Sequence, residues 1–309
     1  MKADISVVIP VRNRPEAILS AINSVLQQTV SPKEVLVIDD ASTDDTAAVV
    51  RTQFGQAIPV KLIELPENRG GGFARNAGID AASGSMIAFL DSDDLWLPDK
   101  LMKQLQIILG RETDRLICFS NLIIDYGDHS TKSEWNRIAF DGRVSPAEYM
   151  IDLDQVVQTS TLLMPSSVAR EIRFADGLRR HQDVDFVLRA AHAGVSFVYC
   201  DEPLVVYSAD PAVERTSKRR NVNPSLVWMK TAQAYLSEKD IASFYHKHLY
   251  EMEIVEAPVS ALNRAVRNVV AGRASLGDVA RRTARAVLSD RLKSAVRRVL
   301  RRNEVQRGI

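Results

Sequence analysis

The chain is short of cysteine, and it has no apolar run near the roughly 20 residues that a membrane-spanning helix needs. Two cysteines in 309 residues, Cys118 and Cys200, exclude a disulfide framework. Each lies in an apolar stretch, as a buried reduced thiol does. The opening Met1-Lys2-Ala3-Asp4-Ile5 carries no apolar signal region, so a cytoplasmic chain not integral to a membrane is expected. The glycine triplet Gly70-Gly71-Gly72 is not followed by Gly-Lys-Ser/Thr, so it is no phosphate loop. No Gly-x-Gly-x-x-Gly follows the first strand pattern either, which argues against a dinucleotide-binding domain. Internal repeats and low-complexity tracts are absent as well.

What is present is an ordinary globular composition, with 46% hydrophobic and 26% charged residues. That is enough to build a core without disulfide or metal staples. The net charge of +1 conceals an asymmetry: residues 260–309 hold 13 Lys/Arg against 3 Asp/Glu, so a tail of +10 follows a body of −9. No nucleic-acid partner is expected.

The first hundred residues alternate strand and helix patterns. Ile5–Pro10, Glu34–Ile38, Val60–Glu64 and Met86–Leu90 are short apolar runs of the kind buried on both faces of a parallel sheet. Between them, Ala17, Ile18, Ala21, Ile22, Val25 and Leu26 share a helix face after Pro15. Ser42 with Asp45 resembles a capping box for a helix reaching about Phe54. Phe73–Ala82 reads as a small-residue helix. Farther on, Leu116–Ile124, Thr161–Met164 and Phe197–Cys200 read as strands, Asp183–Ala193 as a helix, and the chain beyond Thr216 as mainly helical. The expected architecture is α/β, a mostly parallel central sheet flanked by helices. Residues 1–215 are expected as one domain and residues 216–309 as a helical C-terminal extension.

In open parallel sheets, ligands bind beyond the carboxyl ends of the strands. Three of the expected strands end there on chemistry: Pro10-Val11-Arg12-Asn13, Asp39-Asp40-Ala41-Ser42 and Asp91-Ser92-Asp93-Asp94. Gathered carboxylates repel one another unless a cation is near, and only Arg12 and Arg69 stand out as counter-charges. A hard divalent cation such as Mg²⁺ or Mn²⁺, completing its shell with substrate phosphates, answers that need and implies a diphosphate ligand. Singly, an Asp-Asp after a strand is a turn or cap, and an Asp-x-Asp is a common loop element. The combination, in order and at element ends, is what carries weight.

Together these residues resemble family 2 glycosyltransferases of the GT-A, nucleotide-diphospho-sugar transferase fold. The resemblance spans about residues 4–210. It is carried by Val7–Asn13, Ser24–Thr29, Val37–Asp44, Asn68-Arg69-Gly70, Ala74–Gly78, Phe89–Asp94 and Arg179–Phe186 with Leu188-Arg189. The set is similar to bacterial enzymes that build exopolysaccharides and other surface glycans. The resemblance implies an inverting hexosyl-type transferase moving a sugar from a nucleotide-diphospho-sugar to a hydroxyl of a saccharide or lipid-linked saccharide acceptor. It also implies roles. Pro10, Arg12 and Arg69 lie by the nucleotide-sugar, and Asp40 accepts from the nucleobase, with Asp39 as second choice. Asp91 faces the ribose or the metal, Asp93 binds the metal, and Asp183 is the general base. Many members have Glu-Asp where this chain has Gln182-Asp183, which leaves the role of Gln182 open. The residue chemistry agrees: an acceptor hydroxyl needs a carboxylate to take its proton, and a departing nucleoside diphosphate needs charge relief.

Other residues receive plainer readings. His181 suits a surface or acceptor contact, Asp185 a structural cap, and Trp96 core packing; Trp135 suits core or sugar stacking equally. Two other classes stay open. A nucleotidyltransferase that makes nucleotide sugars needs a glycine-bearing loop after the first strand, and Pro10–Pro15 has none. A non-catalytic nucleotide-binding module fits poorly with retention of both Asp93 and Asp183. Residues 279–302 place Ala284, Leu288, Leu292, Ala295, Val296 and Val299 at helical spacing among arginines. Such a helix either lies on an anionic membrane surface, making the protein peripheral on the inner face of the cell membrane, or packs on protein, the acidic body or a second copy in a homodimer.

Overall fold

The computed structural model describes residues 3–55, 59–111, 113–127, 132–209 and 222–287. It divides into two compact units, Met1–Lys218 and Arg219–Ile309.

In the first unit, strand follows helix in the order β1 (Ile5–Val11), α1 (Pro15–Leu26), β2 (Glu34–Asp39), α2 (Thr46–Phe54), β3 (Val60–Glu64), α3 (Gly71–Ala81) and β4 (Met86–Phe89). Then come β5 (Leu95–Trp96), α4 (Lys100–Leu109), β6 (Leu116–Asp125), β7 (Lys132–Glu134), β8 (Leu163–Pro165), α5 (Ser166–Ile172), α6 (Gln182–His192) and β9 (Ser196–Ser208). All join one sheet in the order β3-β2-β1-β4-β8-β6-β9-β5, with β7 on β6. The run β3-β2-β1-β4 is parallel. β8 inserts antiparallel to both β4 and β6, β9 is parallel to β6, and β5 closes antiparallel on β9.

Every residue of β1 and β2 is buried, which explains their unbroken apolar runs. Alternate side chains serve two cores. Val7, Ile9, Val35 and Val37 pack with Ile18, Ile22, Val50 and Leu101 from α1, α2 and α4. Val8, Leu36, Ile38 and Phe89 pack with Ala74, Ile79, Val168 and Phe186 from α3, α5 and α6. The helix α3 sits tightly on the sheet: a Cβ at Gly78 would lie 2.3 Å from Val8 Cγ1.

Three local expectations are corrected. Ser42 does not cap α2; its hydroxyl and N–H both donate to Asp39 Oδ1, at 2.5 and 2.9 Å, and it is Asp44 that accepts from Thr46. Helix α3 starts before Phe73, with Gly71 and Gly72 inside it. Gly70 takes φ 90° before the helix and Gly71 is its first residue. The last strand is also much longer than Phe197–Cys200. Its ladder with β6 jumps from Ser120–Cys200 to Asn121–Pro203, leaving Asp201 and Glu202 as a bulge that interrupts the apolar pattern.

The second unit is helical: α7 (Asn223–Ala232), α8 (Glu238–Phe244), a π-helical turn Tyr245–Leu249 running on into α9 (Tyr250–Glu256), and α10 (Pro258–Val270). A last helix begins at residue 276 and is described to 287. It turns Val279 and Ala286 inward, and Tyr250 Oη lies 2.6 Å from Thr283 Oγ1. Of the expected apolar stripe of the tail only Ala284 is described, and it is exposed; the rest, 288–309, lies outside the described residues. Among the described residues no helix is long and apolar enough to cross a membrane.

Candidate active site

Adjacent parallel strands β2, β1 and β4 bring their carboxyl ends to one edge, so the three polar strand ends meet as expected. Asn13, in a left-handed turn at φ 51°, ties the first loop to the second: its N–H donates to Ser42 Oγ at 2.9 Å, and Thr43 N–H donates to its Oδ1 at 2.8 Å. Pro10 is buried inside β1, while Arg12 is exposed just beyond it. Asp40 is buried and acts as a clamp. Its two oxygens accept the N–H groups of Arg69 and Gly70, each at 2.8 Å. Arg69 is exposed, its guanidinium 3.6 Å from the Phe73 ring centroid.

Beyond β4, Asp91–Asp94 form a tight turn closed by Asp94 N–H donating to Asp91 O. Asp94 is buried: Gln158 Nε2 and Ser160 Oγ donate to its Oδ2 at 2.9 and 2.7 Å. Gln158 also donates to Asp91 Oδ2 at 3.2 Å. Asp93 pairs with Arg14, 2.7 Å from Nη1 to Oδ2. Asp91 pairs with Arg75 of α3. The same guanidinium donates through Nη1 to Gln182 Oε1 at 2.7 Å, joining the strand end to the start of α6 across 107 residues of sequence.

Arg75 is therefore the hub. It is buried, 5.2 Å from the Phe174 ring centroid, and Phe174 stacks on Phe186 at 4.6 Å. Asn76 fixes that floor with two hydrogen bonds to the Phe174 backbone, each 2.9 Å. Gly71 makes room for the hub, since a Cβ there would come within 3.0 Å of Arg75 Nη1 and 3.2 Å of Gln182 Oε1.

Asp183 lies at the first turn of α6, beside this hub, with Val184 N–H donating to its Oδ1 at 2.9 Å. Burial raises its pKa above the ordinary carboxylate value, the Val184 N–H opposes, the nearby Asp91 charge raises it further, and Arg75 pulls back. A carboxyl held this way is a better proton acceptor near neutrality than an exposed aspartate. Asp185, by contrast, is buried and ion-paired to Arg189 at 2.7 Å, a structural role. His181 takes φ 60° ahead of the helix. Trp96 is core, its indole N–H donating to Ser160 O, and Trp135 stands partly exposed, edge-on to Tyr207.

The expected shortage of counter-charges at the strand ends is overturned. Arg12 and Arg69 are not what faces the carboxylates; Arg14 and Arg75 are. Arg14 drew no role from its sequence surroundings, and Gln158 and Ser160 carried no signal at all. Arg75 had one: a lone charge within the small-residue run Ala74–Gly78 must find a partner once that helix is buried. Among the described residues there is no group of three or more ligating side chains fit for a metal ion. The donor set instead suits a hard cation that takes one or two carboxylates and completes its shell with substrate phosphates.

The family model described as Glycosyl transferase family 2 matches residues 6–158. The chain is 32% identical over 245 residues to the amylovoran biosynthesis glycosyltransferase AmsB of Erwinia amylovora, covering 77% of this chain and 81% of that one. Among solved structures, S. aureus TarS in complex with UDP-GlcNAc superposes with a TM-score of 0.67 at 22% identity, covering 85% of this chain and 79% of that one. The mannosyltransferase PcManGT from Pyrobaculum calidifontis, in complex with GDP-Man and Mn²⁺, gives a TM-score of 0.61 at 17% identity, covering 94% and 81%.

Proposed function

The chain belongs to glycosyl transferase family 2, and from that premise we propose that it is an inverting enzyme with Asp183 as its general base. Its α/β architecture is the GT-A fold, and its class is a glycosyltransferase of polysaccharide biosynthesis. The finer reading rests above all on one observation: Arg75 links Asp91 at the strand end to Gln182 at the start of α6, beside Asp183.

In this reading the nucleotide-diphospho-sugar lies along the carboxyl edge, with Pro10, Arg12, Arg69 and the Asp39-Asp40 pair around the nucleoside. Asp40, already held by two N–H groups, keeps lone pairs for a nucleobase donor. A divalent cation at Asp93, Mg²⁺ or Mn²⁺, would stabilise the charge on the departing diphosphate when bound. That cation would take the place Arg14 now holds at Asp93. Asp183 takes the proton of the acceptor hydroxyl as the new bond forms. Val184 N–H holds that carboxylate, and the charges of Asp91 and Arg75 set the field around it. One base facing one leaving group gives in-line displacement and inversion at the anomeric carbon. The acceptor is a saccharide or a lipid-linked saccharide, and the domain division falls near residue 215.

The test is incubation with UDP-, GDP- and dTDP-sugars, an oligosaccharide acceptor and Mn²⁺ or Mg²⁺. Release of nucleoside diphosphate and an inverted linkage by NMR are expected. Release of pyrophosphate instead would make the chain a nucleotidyltransferase. A retained configuration would remove Asp183 from its role, and full turnover after exhaustive chelation would remove the metal.

A further inference from the structure

The acidic turn Asp91–Asp94 is gripped by more than its arginines. Gln158 is buried beside it, just ahead of a short 3₁₀ turn, Thr159–Thr161, that the core pins from several sides. Thr161 N–H and Oγ1 both donate to Gln158 O, at 2.9 and 2.6 Å. Trp96 Nε1 donates to Ser160 O at 2.9 Å, and Gln104 Nε2 to Thr161 O at 2.8 Å. On this fixed backbone the carboxamide of Gln158 is used at both ends. Its Oε1 accepts Ser160 N–H at 2.7 Å and so caps the turn. That bond also settles which end of the amide is nitrogen. Nε2 then faces Asp94 Oδ2 at 2.9 Å, Asp91 Oδ2 at 3.2 Å and Ser160 Oγ at 3.3 Å.

An amide nitrogen carries two hydrogens, one for each carboxylate. Two carboxylates in one tight turn repel each other, and Gln158 bridges them without bringing a positive charge. The turn thus keeps its full negative charge toward the cleft. The two acids depend on this bridge unequally. Asp94 is also held by Ser160 Oγ on Oδ2, at 2.7 Å, and by Ser208 N–H on Oδ1, at 3.2 Å. The side chain of Asp91 has two hydrogen-bond partners among the described residues, Arg75 on Oδ1 and Gln158 on Oδ2. Without Gln158 the Asp91 carboxylate can turn about its own side-chain bonds, and the Arg75 contact no longer fixes both oxygens. We propose that Gln158 is a positioning residue for donor binding: by holding Oδ2 it sets the orientation in which Asp91 meets Arg75 and the incoming nucleotide-sugar. This rests on the reading that Asp91 faces the donor.

The test separates the two ends of the carboxamide. Gln158→Glu combined with Asp94→Asn exchanges carboxamide and carboxylate between the two positions. Net charge is unchanged, an oxygen still caps Ser160 N–H, and the bond between side chains 94 and 158 is re-formed with donor and acceptor reversed. Asp91 then faces an oxygen where it had an N–H. The melting temperature of the unliganded double variant is expected to stay close to that of the wild type. Calorimetry in Mg²⁺ uses whichever of UDP, GDP and dTDP the wild type binds most tightly, and its affinity is expected to fall about tenfold. The loss should appear in KM for the matching donor more than in kcat. Gln158→Met keeps the volume and removes both ends, so it should lower melting temperature and affinity together. Wild-type affinity in the exchanged pair, with Asp91→Asn weakening it, overturns the proposal and leaves Gln158 a cap alone. If Asp91→Asn also leaves the affinity unaltered, the placement of Asp91 beside the donor fails, and the role of Gln158 falls with it. Should the exchanged pair not fold, Gln158→Met decides: wild-type affinity in that variant, folded by circular dichroism, overturns the proposal.

Discussion

Two carboxylates, Glu34 buried at the amino edge of the sheet and Asp183 half-buried at the start of α6, have been put to opposite use. Glu34 opens β2 at the amino edge. Ser6 Oγ, Ser83 N–H and Ser83 Oγ each donate to its Oε1 at 2.7 Å, and Lys61 Nζ to its Oε2 at 2.7 Å. Burial pushes its pKa up, but Lys61 and those donors more than offset this and bring it down to about 2. Asp183, at the carboxyl edge, accepts from Val184 N–H, while burial and the Asp91 charge carry its pKa upward. A carboxylate whose lone pairs are saturated stabilises the fold and cannot take a proton; one left partly unsatisfied costs stability and can.

Breaking it at the active edge gives the largest effect. Asp183→Asn keeps the shape and removes the proton acceptor, so kcat should fall about 10²–10⁴-fold. Donor affinity by calorimetry and the melting temperature should stay level or rise. Unchanged turnover in the purified variant excludes the base assignment.

Breaking it at the amino edge should act on stability alone. Glu34→Gln is expected to lower unfolding free energy at pH 7 by on the order of 2–3 kcal/mol, read by urea titration, with kcat/KM unaltered. The sign follows from a depressed native pKa. The contribution is fully present above the unfolded value of 4.5 and is lost as pH falls toward 2. The gap between wild type and variant should therefore close across that window. A gap that persists at pH 2 contradicts the account.

Two changes sharpen the picture around Arg14 and Arg75. Asp93→Ala should weaken nucleoside diphosphate binding in Mn²⁺ by roughly ten- to a hundredfold, the usual size of a coupling between two ligands, and leave binding in EDTA nearly unaltered. Equal losses with and without metal would make Asp93 merely a partner of Arg14. The smallest expected effect is that of Gln182→Glu. A second carboxylate beside Asp183 disfavours its charged form, so the acidic limb of the kcat profile should move to higher pH. Since the new Glu also pairs with Arg75, the melting temperature should hold. A profile that stays put or moves the other way would show that the side chain at 182 does not act on the base.

Much of this was legible because its causes are local. Full burial of β1 and β2 appears in sequence as unbroken apolar runs, and the strand ends Asn13, Asp40 and Asp91 appear as polar residues directly after them. Asp183 at the opening of α6 was legible through its motif. The illegible parts have non-local causes. The bulge at Asp201-Glu202 exists only because β6 supplies a partner for Pro203, and without that partner the stretch reads as a loop. Ser42 looked like a helix cap because a cap and a strand-end turn use the same hydroxyl; the choice went to Asp39, which stands three residues before it.

Periodicity and composition by themselves determined the order of strands and helices, the parallel sheet, and the gathering of acidic residues at one of its edges. All of these follow from which residues can be buried and where the chain can turn. Only tertiary structure decided which cation meets which carboxylate. Arg14 reaches Asp93 across 79 residues, and Arg75 joins Asp91 to Gln182 across 16 and 107. A guanidinium of given chemistry suits any of these acids equally well. For Arg75 the placement comes from the close packing of α3 against β1 at Gly78 and from the stacked Phe174 and Phe186 beside its guanidinium, contacts that exist only once distant segments have met.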